Sequence, residues 1–184
     1  MKNILLLSVL VTIITSCKKK EEPATNTTTA TTSTLTIGKN YGGGVIFYLD
    51  NVGQHGLVAA GSDQSTGVEW GCDGVSIIGA QGTTVGTGDG NTMAIVAGCS
   101  TAFIAARICD DLILNGYSDW FLPSKDELNL MYEQKNVIGG FSLSDYWSSS
   151  DIDNNDAWAQ IFADGTQVNS AKTSTGWVRS VRRF

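Results

Sequence analysis

An oxygen-rich segment near the C-terminus has the residue types and spacing to bind a metal ion. Residues 151–156 read Asp-Ile-Asp-Asn-Asn-Asp, with side-chain oxygens at nearly every position. Hard cations such as calcium take about six to eight oxygen ligands. The residues of the candidate calcium site are Asp151, Asp153, Asn155 and Asp156. The segment departs from the EF-hand pattern, which places glycine at the sixth position. The alternative is a solvated acidic loop between two strands.

Two tryptophans flank this segment and have rings suited to stacking on sugars. Trp147 precedes it and Trp158 follows it, so the candidate ligand-binding residues are Trp147, Asp151, Asp153, Asn155 and Trp158. All five tryptophans of the chain stand in apolar, strand-like runs. Packing in the core is therefore the competing explanation for both rings.

The sequence patterns for a catalytic triad and for an anion site are less specific than the oxygen-rich segment. Residues 148–150 are three serines, but His55 is the only histidine and nothing in the sequence places it beside them, so a serine–histidine triad is not expected. The glycine-rich residues 86–92 lead into a predicted helix. Their amides either hold an anion or belong to a loop that closes on the helix start.

Basic residues gather towards the C-terminus. They are Lys172, Arg179, Arg182 and Arg183. Such a strip could recognise sulfated glycans, but pairing with carboxylates such as Asp119 or Asp126 is the favoured interpretation.

The N-terminus has the pattern of an export signal with a lipid-attachment site. Residues 1–16 combine Lys2 with an apolar run that is shorter than the roughly 20 residues of a membrane span. A small residue before Cys17 resembles the lipobox of bacterial lipoproteins, in which the cysteine carries the lipid. Residues 17–36 are rich in threonine and form a tether. We therefore predict an outer-membrane lipoprotein, anchored through Cys17 and exposed at the cell surface.

Three cysteines remain after Cys17. An exported protein meets oxidising conditions, so one disulfide is expected. Cys72 with Cys99 is favoured because both stand beside glycine in loop-like surroundings, and Cys99 with Cys109 is the alternative. Cys109 lies in a predicted helix and is expected to be buried.

Residues 37–184 have the size of one domain. They contain eight Lys and Arg against sixteen Asp and Glu, a net charge of −8, which argues against a nucleic-acid partner. Short runs rich in apolar residues predict strands at 45–49, 56–60, 68–70, 146–150, 157–163, 166–168 and 177–184. Helices are predicted at 92–97, 101–114 and 125–134. Ser124 and Glu127 form the capping-box pattern at the start of the last helix.

Four segments in this order resemble a known family. They are residues 43–47, 119–128, 146–149 and 178–182. The chain is similar to the Lcl C-terminal domain family, a domain of unknown function named for a collagen-like Legionella adhesin, and to Fibrobacter major paralogous domains. The resemblance implies an α+β, C-type-lectin-like fold related to formylglycine-generating enzymes. Its antiparallel sheet is closed by pairing of the first and last strands, with two flanking helices and long binding loops.

The resemblance implies glycosaminoglycan binding and no enzyme activity. We therefore expect a non-catalytic surface binding module, an adhesin for glycans or extracellular matrix, that has no cofactor unless residues 151–156 bind calcium. The alternative is a structural envelope protein that contacts other proteins. An enzyme of the formylglycine-generating type is less favoured, because no cysteine pair here matches the pair at the site of those enzymes.

Overall fold

The computed structural model of the protein describes Thr34–Phe184. The predicted export signal, Cys17 and the tether up to residue 33 lie outside the described residues. Across Thr34–Phe184 the strands are β1 (Asn40–Tyr41), β2 (Gly44–Leu49), β3 (Gly56–Ala59), β4 (Ser65–Glu69), β5 (Asp145–Asp151), β6 (Asp156–Ile161), β7 (Gln167–Ala171), β8 (Thr175–Val178) and β9 (Val181–Arg183). The helices are α1 (Gly88–Gly98), α2 (Ala105–Asp110), α3 (Lys125–Glu133) and α4 (Lys135–Ile138).

The strands form two separate sheets, and the α+β class is confirmed. One sheet has the order β1-β2-β3-β9 and the other β4-β8-β5-β6-β7. All pairings are antiparallel except that of β5 with β8. The predicted closure by direct pairing of the first and last strands is wrong, because β3 lies between β2 and β9. Neither sheet is closed.

The C-terminal segment predicted as one strand is two strands in different sheets. β8 pairs with β4, whereas β9 pairs with β3. The chain changes sheets at Arg179 and Ser180, both of which are buried. Apolar residues stand on both sides of this break, so their presence gave no sign of the change.

The core divides into three clusters on the faces of these sheets. The largest lies against α1 and α2 and contains Trp70 and Trp147. A second contains Phe47, Tyr146 and Phe162 and packs under α3. Because successive strand residues point to opposite faces, Ile46 packs into a third cluster with Trp120.

Helix α3 starts as its sequence predicts. The Ser124 hydroxyl accepts from the Glu127 amide, and the Ser124 amide donates to Glu127 Oε2 at 2.8 Å. Both halves of the capping box are thus formed. No helix within the described residues is long and apolar enough to cross a membrane.

Candidate functional site

The predicted calcium segment is organised around an internal lysine. Asp151 ends β5, is buried, and its Oδ1 lies 2.7 Å from Lys172 Nζ. The Ile77 amide donates to the other carboxylate oxygen at 2.6 Å. Lys172 Nζ also donates to the carbonyls of Val75 and Asp153, each at 2.7 Å. The lysine ammonium therefore sits among the oxygens that a cation would have used.

The remaining predicted ligands form a turn. Asp153 Oδ1 accepts from the amides of Asn155 and Asp156, and these bonds hold the pKa of Asp153 below its usual value. The Asn155 side-chain amide donates to Asp73 Oδ1 at 3.2 Å. Among the described residues, no group of three or more His, Cys, Asp and Glu is arranged to hold a metal ion. Asp151 is thus bound to Lys172 and Asp153 to the turn, and calcium binding at this segment stays a prediction.

Neither tryptophan of the candidate set presents a free ring. Trp147 is 1% exposed, and its indole N–H donates to the Val68 carbonyl at 2.9 Å. Trp158 is half-buried, and the ammonium of Lys125 lies 4.3 Å from the centre of its ring. Trp147 is therefore a core residue, as the competing explanation held, and one face of Trp158 is covered by a lysine.

An amide of the glycine-rich loop donates to the side-chain carboxylate of Glu127 rather than to an external anion. The Gly86 amide donates to Glu127 Oε1 at 2.8 Å, while Ser124 bonds the other oxygen. Burial raises the pKa of Glu127, and the bonds from the Ser124 and Gly86 amides oppose that shift. A side-chain carbon at Gly88 would lie 2.2 Å from Glu127 Oε2, so the loop and the capping box are packed together.

The basic residues are committed to internal partners. Arg179 pairs with Asp63 at 2.7 Å, and Arg182 pairs with Asp119 as predicted. Arg183 donates to the Gly86 carbonyl at 3.0 Å. With Lys172 bound to Asp151, these side chains form no continuous basic strip on the described surface.

The serines and the histidine lie apart. Residues 148–150 are buried in β5, where Ser148 Oγ donates to the Trp158 carbonyl and Ser150 Oγ to that of Gly82. His55 is exposed in the turn between β2 and β3. The three serine hydroxyls therefore form hydrogen bonds that connect β5 to neighbouring segments.

A surface groove that sequence reasoning missed lies beside α2. It has a volume of about 690 Å³. Its lining combines aliphatic side chains with a few polar ones: Ser100, Ala102, Phe103, Arg107, Ile108, Asp111, Leu112 and Ile113. Phe103 is 84% exposed and Ile113 is 79% exposed. We call this feature the α2 groove.

The loop that carries Phe103 is fixed by a disulfide and an arginine. Cys72 and Cys99 are joined, which confirms the favoured pairing, and Cys109 is a buried free cysteine. Burial raises the pKa of the Cys109 thiol to about 12. The Arg107 guanidinium donates to the carbonyls of Cys99 and Thr101.

Helix α2 is much shorter than predicted because the loop interrupts it. The sequence favoured a helix over 101–114, but α2 covers only Ala105–Asp110. Phe103 has φ 59°, in the left-handed region, which is incompatible with a continuing right-handed helix. Glycine and asparagine are the residues that usually adopt the left-handed conformation, so nothing in the sequence marks Phe103 for it.

One acidic residue, Asp111, lines the groove, and a second, Asp110, precedes it in the chain. Asp110 and Asp111 lie at the C-terminal end of α2, where the helix dipole disfavours negative charge. Burial and the neighbouring Asp111 raise the pKa of Asp110, and Asp89 adds to the shift while Arg107 opposes it.

Comparison with known proteins identifies the family. No protein of curated function matches the chain. A fimbrial protein from Bacteroides ovatus ATCC 8483 has a similar structure, with a TM-score of 0.50 and 16% sequence identity over 68% of this chain. The match covers 35% of that protein, so this chain corresponds to about a third of it, and the likeness concerns the fold alone. The Lcl C-terminal domain matches residues 60–182, and the chain belongs to this family.

Proposed function

We propose that this protein is a non-catalytic, surface-exposed binding module, an adhesin for glycans or extracellular matrix. The observation that carries the proposal is the α2 groove, where two large apolar side chains are mostly exposed: Phe103, on the loop that follows the disulfide-bonded Cys99, and Ile113, which follows α2. Large apolar side chains exposed around a concave surface are typical of binding sites. Family membership and the likeness to a fimbrial protein support a role at the cell surface.

A non-catalytic role is part of this proposal. It is supported by where potential nucleophiles lie: the serines of β5 are buried, His55 is in the turn between two strands of the other sheet, and Cys99 is bonded to Cys72. The C-type-lectin-like architecture is also proposed, supported by strands from both ends of the domain, β2 and β9, in one sheet.

An array experiment tests the binding role. The purified full chain is applied to a glycan array and to a panel of immobilised matrix proteins, with and without calcium. We expect selective binding to a few members of one class, unchanged by calcium because Lys172 occupies the acidic segment. Flat binding across both arrays would overturn the proposal.

We further propose that Cys17 carries a lipid that anchors the protein in the outer membrane, with residues 17–36 as the tether. The sequence pattern around Cys17 supports this. Cys17→Ala should move the protein from the membrane fraction to the soluble fraction. Protease added to intact cells should cleave the wild-type protein if it is surface-exposed.

A second candidate function is that of a structural envelope protein that contacts other proteins. The apolar lining of the α2 groove favours it, because sugars offer few apolar side groups to bury there. Selective binding to protein ligands that survives glycosidase treatment would favour protein recognition over glycan recognition.

A further inference from the structure

The α2 groove can be assigned a ligand class from its lining. Its aliphatic part comprises Ile108 and Leu112, with Phe103 and Ile113 projecting at the surface. Exposed aromatic and aliphatic side chains around a concavity gain most from burial against apolar groups of a partner. The lining therefore favours a ligand with apolar side chains over a polar sugar.

The conformation of Phe103 supports a binding role for its ring. Among the described residues, three besides glycine have positive φ: Cys72, Phe103 and Asn115. Cys72 is held by its disulfide, and asparagine adopts this conformation readily. Phe103 alone combines an unfavourable backbone with a bulky ring that is 84% exposed. Contact with a ligand would compensate both costs.

The charge around the groove specifies the ligand further. Asp111 lines the groove, Asp110 precedes it at the end of α2, and Asp89 is near enough to act on Asp110. Arg107 is the nearby cation, but its guanidinium donates to the carbonyls of Val96, Cys99 and Thr101. The guanidinium keeps its charge, but Asp89, Asp110 and Asp111 are three carboxylates against this one cation, so the neighbourhood of the groove is net negative, which disfavours sulfated glycans and favours a basic ligand.

We propose that the α2 groove binds a segment of an extracellular protein in which apolar side chains are flanked by lysine or arginine. Phe103 and Ile113 contact the apolar side chains, while Asp110 and Asp111 pair with the basic ones. This inference rests on the proposed binding function and specifies its ligand class.

Designed peptides of equal length test this ligand class. One alternates leucine with lysine, the second alternates leucine with glutamate, and the third alternates serine with lysine. Fluorescence anisotropy measures the binding of each labelled peptide to the purified full chain. We expect the leucine–lysine peptide to bind at least about tenfold more tightly than the other two, a difference of about 1.4 kcal/mol. Equal binding of the serine–lysine peptide would overturn the inference, because charge alone would then explain it.

Two variants locate the site. Phe103→Gly should weaken binding about tenfold. Because glycine accepts positive φ without strain, the melting temperature should stay the same or rise. Asp110→Asn with Asp111→Asn should weaken binding and reduce its dependence on salt. Val52→Ser removes an apolar side chain that is 71% exposed in the turn between β2 and β3, and should leave binding unchanged.

Other outcomes separate this inference from the proposed function. If the wild type and Phe103→Gly bind the same array members equally, the groove inference fails while the adhesin role stands. If arrays and peptides both show no binding, both proposals fail. Concentration-dependent dimers in sedimentation that Phe103→Gly abolishes, without peptide binding, would assign the groove to a second copy of the chain and overturn the inference.

Discussion

The ion pair between Lys172 and Asp151 leads to a prediction at the scale of single residues. Both side chains are fully buried, and Nζ lies 2.7 Å from Oδ1. Lys172→Met would leave the carboxylate buried without its counter-charge. We expect the free energy of unfolding to fall by about 3–5 kcal/mol. Urea denaturation followed by tryptophan fluorescence measures the loss.

Two further variants control this experiment. Asp119→Asn breaks the pair with Arg182, in which the Asp119 side chain is 59% exposed, and should cost about 1 kcal/mol or less. Adding Asp151→Asn to Lys172→Met removes the unpaired charge and should restore part of the stability. A loss below about 1 kcal/mol for Lys172→Met would contradict the view that this lysine is the essential counter-ion of the acidic segment.

Helix α1 provides a prediction at the scale of elements, with a control in the same helix. A side-chain carbon at Gly88 would lie 2.2 Å from Glu127 Oε2 and 2.8 Å from the Ser124 amide. Gly88→Ala should therefore lower the free energy of unfolding by about 2 kcal/mol, as overpacking does. At Gly90 nothing lies within 4 Å of that position. Gly90→Ala should raise stability by up to about 1 kcal/mol, because alanine favours helix.

Thermal unfolding followed by circular dichroism compares the two alanine variants with the wild type. Opposite shifts in melting temperature are the expected result. Equal shifts would show that the packing of α1 on the capping box of α3 does not determine the stability change at Gly88. Helix propensity would then account for both positions.

Local elements were predictable from the sequence where local chemistry decides them. The capping box of Ser124 and Glu127 needs only neighbouring residues, and the apolar run at 45–49 is itself a local strand signal; both elements are found. The partition of strands between sheets depends on contacts distant in sequence. The apolar residues along 177–184 therefore could not reveal that Val178 and Val181 belong to different sheets.

Site residues were harder to predict, because the residue types that bind ligands also form ion pairs and hydrogen bonds inside the protein. The carboxylate of Asp151 and the indole of Trp147 look like ligand-binding groups in sequence, yet both are buried against internal partners. Phe103 looks like an ordinary helical residue and is instead exposed in a loop. Only the packed structure shows which side chains remain for a partner.

At the scale of the whole molecule, the segment between β8 and β9 joins the two sheets. Arg179 is 1% exposed there. Its Nε donates to Asp63 Oδ1 at 2.7 Å, and its terminal nitrogens donate to the carbonyls of Ala60, Gly139 and Gly140. The side chain therefore connects the end of β3 to the loop after α4. A planar guanidinium with five donors can satisfy these acceptors together, whereas an ammonium cannot.

Arg179→Lys should therefore destabilise the whole domain, although it conserves charge. We expect a loss of about 2–4 kcal/mol, because buried carbonyls and part of the Asp63 carboxylate lose their donors. Hydrogen exchange should quicken in β3 and β9 as well as in β8, since the residue connects both sheets. Arg183→Lys is the matched control: that side chain is exposed, donates to the Gly86 carbonyl, and keeps its charge near Glu127 as lysine, so the effect should stay within about 0.5 kcal/mol. Faster exchange confined to one sheet would mean that the sheets hold together through apolar packing around Tyr146 and Phe162 rather than through Arg179.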